Sequence, residues 1–239
     1  PNLIKILDWG SGEISYIVTE FLAGGDLRAM LEQDSSLSVA QITLIMMEIL
    51  KGTSYLHERG KVHGGLKPEN VIFSLNGDLK LSDTGIGSVS AKYFSSELFT
   101  EGPYVSPELS QGGLLSPAAD VYAIAAIFKE LIHTKLPESK NTGEAQEIDS
   151  QLLKELEAVF ASALSAKASE RPTANALLKI TSEVNIKNAK PALLPVRNSL
   201  NLNLLEAFDD KPKAIAVGDK SNFKARLKRA TLYLKSHLS

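Results

Sequence analysis

The chain has 239 residues, 44% of them hydrophobic, enough to bury one core of ordinary size with a small appendage. It contains no cysteine, which excludes disulfide frameworks and thiolate metal sites and fits a reducing compartment. The net charge of −2 conceals two unlike parts: residues 1–183 carry 15 Lys/Arg against 24 Asp/Glu, and residues 184–239 carry 11 against 4.

The longest apolar run, ITLIMMEIL, is short and broken by Glu48, and no charged-then-apolar leader opens the chain. Neither a membrane span nor a signal peptide is read, and a cytoplasmic protein is expected. Pro1 rather than methionine stands first, as expected of a piece of something longer.

In chain order, LIKILDWG and ISYIVTEFL alternate as two strands about a turn at Ser11-Gly12-Glu13. After Gly24-Gly25, Asp26 caps a short helix, LRAMLE. Ser38 with Gln41 forms a capping box for a longer helix reaching about Arg59. Ile42, Ile45, Ile49 and Leu56 recur at helical spacing, so one face of it is buried. Beyond Gly60 comes HGGLKPEN, then VIFS and LKLSD joined by Asn76-Gly77-Asp78, a hairpin signal. From Gly85 to Ser106 no periodicity persists, and a stretch of that length inside a compact domain is usually functional. Helical patterns return in PAADVYAIAAIFKELIH, QLLKELEAVFASALS and TANALLKIT. Strands first and helices after predict an α+β fold, mostly helical.

Phosphoryl transfer asks a protein for metal-binding oxygens, charge on the phosphates and a carboxylate that orients the attacking hydroxyl. Asn70 ends the HGGLKPEN loop, and Asp83 follows thirteen residues later, at the end of the second short strand. An amide oxygen and a carboxylate at the mouths of adjacent strands suit one hard cation such as magnesium. Lys67 offers positive charge to a phosphate.

HGGLKPENVIF, LKLSDTGIG, YVSPEL, AADVYAIAAIFKELI and SERPTA, taken together and in this order, resemble the large lobe of serine/threonine protein kinases over residues 1 to about 183. The resemblance implies a hinge at TEFL, with Glu20 and Leu22 beside a nucleotide. It implies a catalytic loop at HGGLKPEN, with Lys67 and Asn70, and a magnesium motif at LSDTG, with Asp83. It also implies structural roles: His63 packs inward and hydrogen-bonds backbone, Asp120 holds the loop from a buried helix, and Glu108 pairs with Arg171. His57, His133 and His237 stand alone in this reading.

The departures from that family carry more weight. Gly65 stands where the family keeps its catalytic aspartate, and glycine has no group to accept a proton. Gly64 replaces the preceding arginine, a change that in relatives accompanies loss of control by activation-loop phosphorylation. Thr84 replaces an ordering phenylalanine, and Glu101 lies near where a threonine meets substrate. No glycine-rich loop, strand lysine or partnering helix glutamate precedes the hinge, so the small lobe's share of the nucleotide site is not in this sequence.

The expectation is therefore a protein-kinase-like domain over 1–183, inactive in phosphoryl transfer, with ATP and magnesium bound weakly or not at all and a protein as its partner. The alternative is a fragment of an active kinase whose small lobe lies upstream. A linker is expected over 184–212, where Pro191 and Pro195 interrupt any periodicity. Residues 213–239 read as a basic amphipathic tail with Phe223, Leu227, Ala230, Leu234 and Leu238 on one helical face. This tail has a weak likeness to the start of a response-regulator receiver, with Asp219 as its one acid. Such a face also suits a polyanion, nucleic acid or anionic lipid.

Overall fold

The structure, a computed structural model, describes residues 1–10, 16–33, 35–85, 102–136 and 144–187. The turn at 11–13, Glu101, the hydroxyl-rich 88–100, the 188–212 part of the expected linker and the 213–239 tail lie outside the described residues.

The described part is mostly helical, with two small antiparallel hairpins. The first pairs β1 (Ile6–Gly10) with β2 (Tyr16–Thr19), Trp9 lying opposite Ile17, with a register shift between Ile6 and Asp8. That pair is exposed, Trp9 at 69% and Ile17 at 62%. The second hairpin joins β3 (Val71–Phe73) to β4 (Leu79–Leu81), and Gly77 takes the positive φ of 87° that its turn requires.

Helix α1 (Leu27–Leu31) starts where the Asp26 carboxylate accepts from Ala29 N at 2.8 Å. Helix α2 (Val39–His57) opens with the reciprocal box: Ser38 Oγ accepts from Gln41 N, and Gln41 Oε1 accepts from Ser38 N. Ile42, Ile45 and Ile49 are fully buried along one face. Thr43 and Thr53 are buried too, each hydroxyl donating to the carbonyl four residues back, so neither leaves an unsatisfied polar group. The N-terminal residues cross α2 and line up beside β4, with Leu81 N donating to Asn2 O and Ile4 N to Leu81 O. Gly52 makes room for that crossing. A Cβ there would stand 2.9 Å from Leu81 Cδ1 and 3.0 Å from Asn2 O.

After the short α3 (Pro107–Ser110) comes α4 (Pro117–Lys135), begun by a proline whose missing N–H costs a first turn nothing. Its residues Val121, Ile124, Ile127, Phe128 and Leu131 are buried, making it the central helix of the core. Helix α5 (Glu144–Ala161) packs on it, Phe128 stacking on Phe160 with centroids 4.3 Å apart. Helix α6 (Ala174–Lys187) lies along α2 and continues past residue 183, Val184 being part of the core. Among the described residues no helix is long and apolar enough to cross a membrane.

Candidate functional site

The HGGLKPEN loop is held from behind. Asp120, buried in the first turn of α4, accepts from His63 N at 2.8 Å and from Gly64 N at 2.9 Å. His57, at the end of α2, places Nε2 2.9 Å from the same carboxylate. The histidine read as standing alone thus belongs to the anchor. Its partner lies 63 positions away, beyond the reach of periodicity. Gly64 adopts φ 75°, a conformation that costs glycine little and an arginine more.

Two backbone bonds stitch this loop to the second short strand. Ser82 N donates to Asn70 O at 2.9 Å, and Gly85 N donates to His63 O at 3.0 Å. Asn70 and Asp83 consequently stand at the mouths of neighbouring strands. Asn70 is nearly buried, and its Nδ2 donates to Gly65 O at 2.7 Å, committing the amide's nitrogen side to the loop. Asp83 is exposed and has φ 55°, the one positive φ on a non-glycine residue among those described. Residues held in that region are uncommon and often sit at functional sites.

Among the described residues no group of three His, Cys, Asp or Glu side chains could hold a metal ion. An all-protein cage is therefore not offered. One amide oxygen and one carboxylate do fit magnesium, which keeps waters and takes further oxygens from phosphates. Lys67 is exposed on the same loop.

Gly65 has ordinary backbone geometry, and a Cβ built on it meets only Asn70 Nδ2, 3.8 Å away. The loop thus keeps the space for a larger residue. The Glu20 carboxylate is already engaged, accepting from Lys5 N and from Lys80 Nζ, each at 2.7 Å. Burial alone would raise its pKa, but these partners outweigh burial and hold it below the usual carboxylate range.

His63 is fully buried. Its backbone carries the bonds just given, and its ring is buried beside the backbone of Ser82. Burial pushes its pKa down against the opposing charge of Asp120, keeping the ring neutral. Arg171 forms a fork on Glu108, with both N–O distances 2.7 Å, and also donates to Ser165 O and Ala118 O. The arginine side chain is 0% exposed and the glutamate 24%, so the acid reaches the rim. The arginine holds the Glu108 carboxyl below its ordinary range.

A second charged cluster went unread in the sequence. Arg28 on α1 donates to Glu69 of the loop at 3.1 Å, to Glu130 of α4 at 2.7 Å and to the Tyr104 hydroxyl at 2.6 Å. Tyr104 in turn donates to Glu130. Tyr104 lies in the YVSPEL motif and Glu130 in the AADVYAIAAIFKELI motif, but nothing local marks Arg28 as their partner.

The model of the protein kinase domain matches residues 1–188, and the chain belongs to that family. Among its relatives, a probable serine/threonine-protein kinase PknB of Lactococcus lactis is 34% identical over 141 residues, covering 57% of this chain and 22% of the relative. The serine/threonine-protein kinase PknL of Mycobacterium tuberculosis is 31% identical over 139 residues, 56% of this chain and 35% of its own length. A probable serine/threonine-protein kinase mkcF of Dictyostelium discoideum is 32% identical over 140 residues, covering 57% and 20%. The chain thus spans about a fifth to a third of the length of these curated relatives. The domain is related to serine/threonine kinases, a family that generally uses ATP and magnesium.

Proposed function

We propose that residues 1–183 act as a pseudokinase-type binding domain of serine/threonine kinase descent, working on a protein partner in the cytoplasm without transferring phosphate. Gly65 carries this reading. The base of the family's reaction would occupy that position, and a Cβ built there would meet only Asn70 Nδ2, 3.8 Å away. Asn70 and Asp83 are the residues that would hold magnesium, and Glu20 and Leu22 would offer hinge backbone to a nucleotide. Magnesium, when bound, supplies charge for phosphate oxygens. Lys67 would add a single cation to them, while the base position itself is Gly65 and the loop's one carboxylate, Glu69, is paired with Arg28.

A second reading, a fragment of an active kinase completed by an upstream small lobe, draws support from the intact frame of the loop. Asp120 still holds it, and Asp83 keeps its unusual φ. In that version a carboxylate from elsewhere orients the hydroxyl.

The test is phosphate incorporation into a mixed serine/threonine peptide library, with Asp83→Ala as control, beside nucleotide titration with and without magnesium. The expected result is no transfer, whatever the titration gives. Transfer that vanishes in the control would falsify the pseudokinase reading and favour the second.

A further inference from the structure

Three segments distant in sequence meet at one guanidinium. Arg28 comes from α1, Glu69 from the HGGLKPEN loop, Tyr104 from the segment before α3, and Glu130 from the middle of α4. Arginine is the side chain suited to this junction, because its planar fork offers several donors at fixed angles while a lysine ammonium serves as a point charge. Glu130 also accepts from the Tyr104 hydroxyl, so the contacts close a ring rather than radiate from a hub.

The surroundings say what this ring holds. Besides this ring, residues 102–106 have a few ties among the described residues: Val105 N donates to Gly102 O at 3.2 Å, Ser106 O accepts from Ser110 N at 3.0 Å, and Tyr104 packs against the core. The HGGLKPEN loop has glycine at positions 64 and 65, so no charged side chain there reaches toward the segment. Arg28 itself is only partly exposed, and its hydrogen bond to Glu130, with those to Glu69 and Tyr104, holds its pKa well above the ordinary arginine value. Burial together with Glu130 pushes the Tyr104 hydroxyl up to about 12, keeping it a neutral donor.

We propose that Arg28 is the positioning residue that fastens residues 102–106 to the HGGLKPEN loop, so that an internal ion cluster orders this segment. Arg28 reaches the loop through Glu69. This ordering holds whether or not the chain transfers phosphate, so its failure and that of the pseudokinase reading are separate outcomes.

Amide hydrogen exchange on the full chain tests it, because exchange reports local opening apart from global unfolding. In Arg28→Gln, the amides of Tyr104, Val105, Glu69 and Asn70 are expected to exchange at least about ten-fold faster, while those of Ile45 to Leu50 in α2 change less than about two-fold. Arg28→Lys should restore part of the protection, since one ammonium holds one carboxylate at a time. Unchanged exchange at Tyr104 and Val105, or an equal rise across α2, would overturn the assignment. If Arg28→Gln does not fold, Glu69→Gln severs only the arm to the loop. That variant should loosen Glu69 and Asn70 and leave Val105 protected, and a variant indistinguishable from the parent sinks the proposal.

Discussion

Replacing Glu108 by alanine strips a forked acceptor from a guanidinium that has no exposed side-chain surface. Three carbonyls remain to Arg171, from Ser165 at 2.8 Å, Ala118 at 3.0 Å and Ala166 at 3.5 Å, and they leave the charge itself unbalanced. Breaking a buried ion pair costs roughly 3–5 kcal/mol. Because Glu108 is 24% exposed, water can enter the vacated place, which sets the expected loss near the lower end, about 3 kcal/mol. Arg171→Met should cost a comparable amount, since it also takes a donor from the Ser165 carbonyl, while the stranded glutamate can turn to solvent. The double variant should lose clearly less than the sum of the two, because neither change then strands a charge.

Urea unfolding measures these losses. For a domain of this size about 3 kcal/mol corresponds to a melting shift of very roughly 6–12 °C. The pair also carries a pH signature. The folded Glu108 carboxyl titrates below its unfolded value of about 4.3, so its contribution is present above that value and is lost as pH falls through the lowered one. In Glu108→Ala this part of the acid sensitivity should disappear. Single variants that melt with the parent, or a double variant that is strictly additive, would refute the coupling.

Gly65→Asp should fold with a stability within about 0.5 kcal/mol of the parent, since its Cβ meets nothing closer than 3.8 Å, yet it should not phosphorylate peptides. Peptide phosphorylation by that single variant, in the same library assay, would show that positioning was already complete. Asp120→Asn leaves one acceptor oxygen for two amides, so it should release one of His63 N and Gly64 N and cost about 1–3 kcal/mol, read as faster amide exchange there and a lower urea midpoint. Limited proteolysis is expected to cut between Lys190 and Asn203 and leave a folded core ending near Lys187, which mass spectrometry of the surviving fragment checks.

What the sequence disclosed was chiefly local. The Ser38–Gln41 box, the Asp26 cap and the Asn76-Gly77-Asp78 turn are each written within a few residues, and each has the hydrogen bonds or φ that its chemistry requires. The isoleucine spacing of α2 marked its buried face because burial recurs with the helical turn. Motif order carried some longer connections, such as Asp120 to the loop and Glu108 to Arg171. Partners joined by no motif were not legible. Arg28 and Glu130 are 102 positions apart, and neither periodicity nor charge pattern says that two helices will bring them within 2.7 Å. Gly52 carries no mark of its purpose in the sequence, and that purpose appears only with Asn2 lying across it. The N-terminal residues themselves read as part of a strand alternation, whereas Leu3 bridges to Leu81 in the other hairpin.

The anchoring of the HGGLKPEN loop bears on which changes this protein tolerates. Asp120 grips main-chain N–H groups, which every residue other than proline supplies, so apart from position 64, whose positive φ favours glycine, the grip does not depend on the side chains mounted on the loop. A lineage can therefore trade away an acid at position 65 and keep the same backbone path, and a protein engineer can run the exchange in reverse. Position 120 has no such latitude: its oxygens are consumed by main chain and by His57, and a substitution there alters the mounting itself.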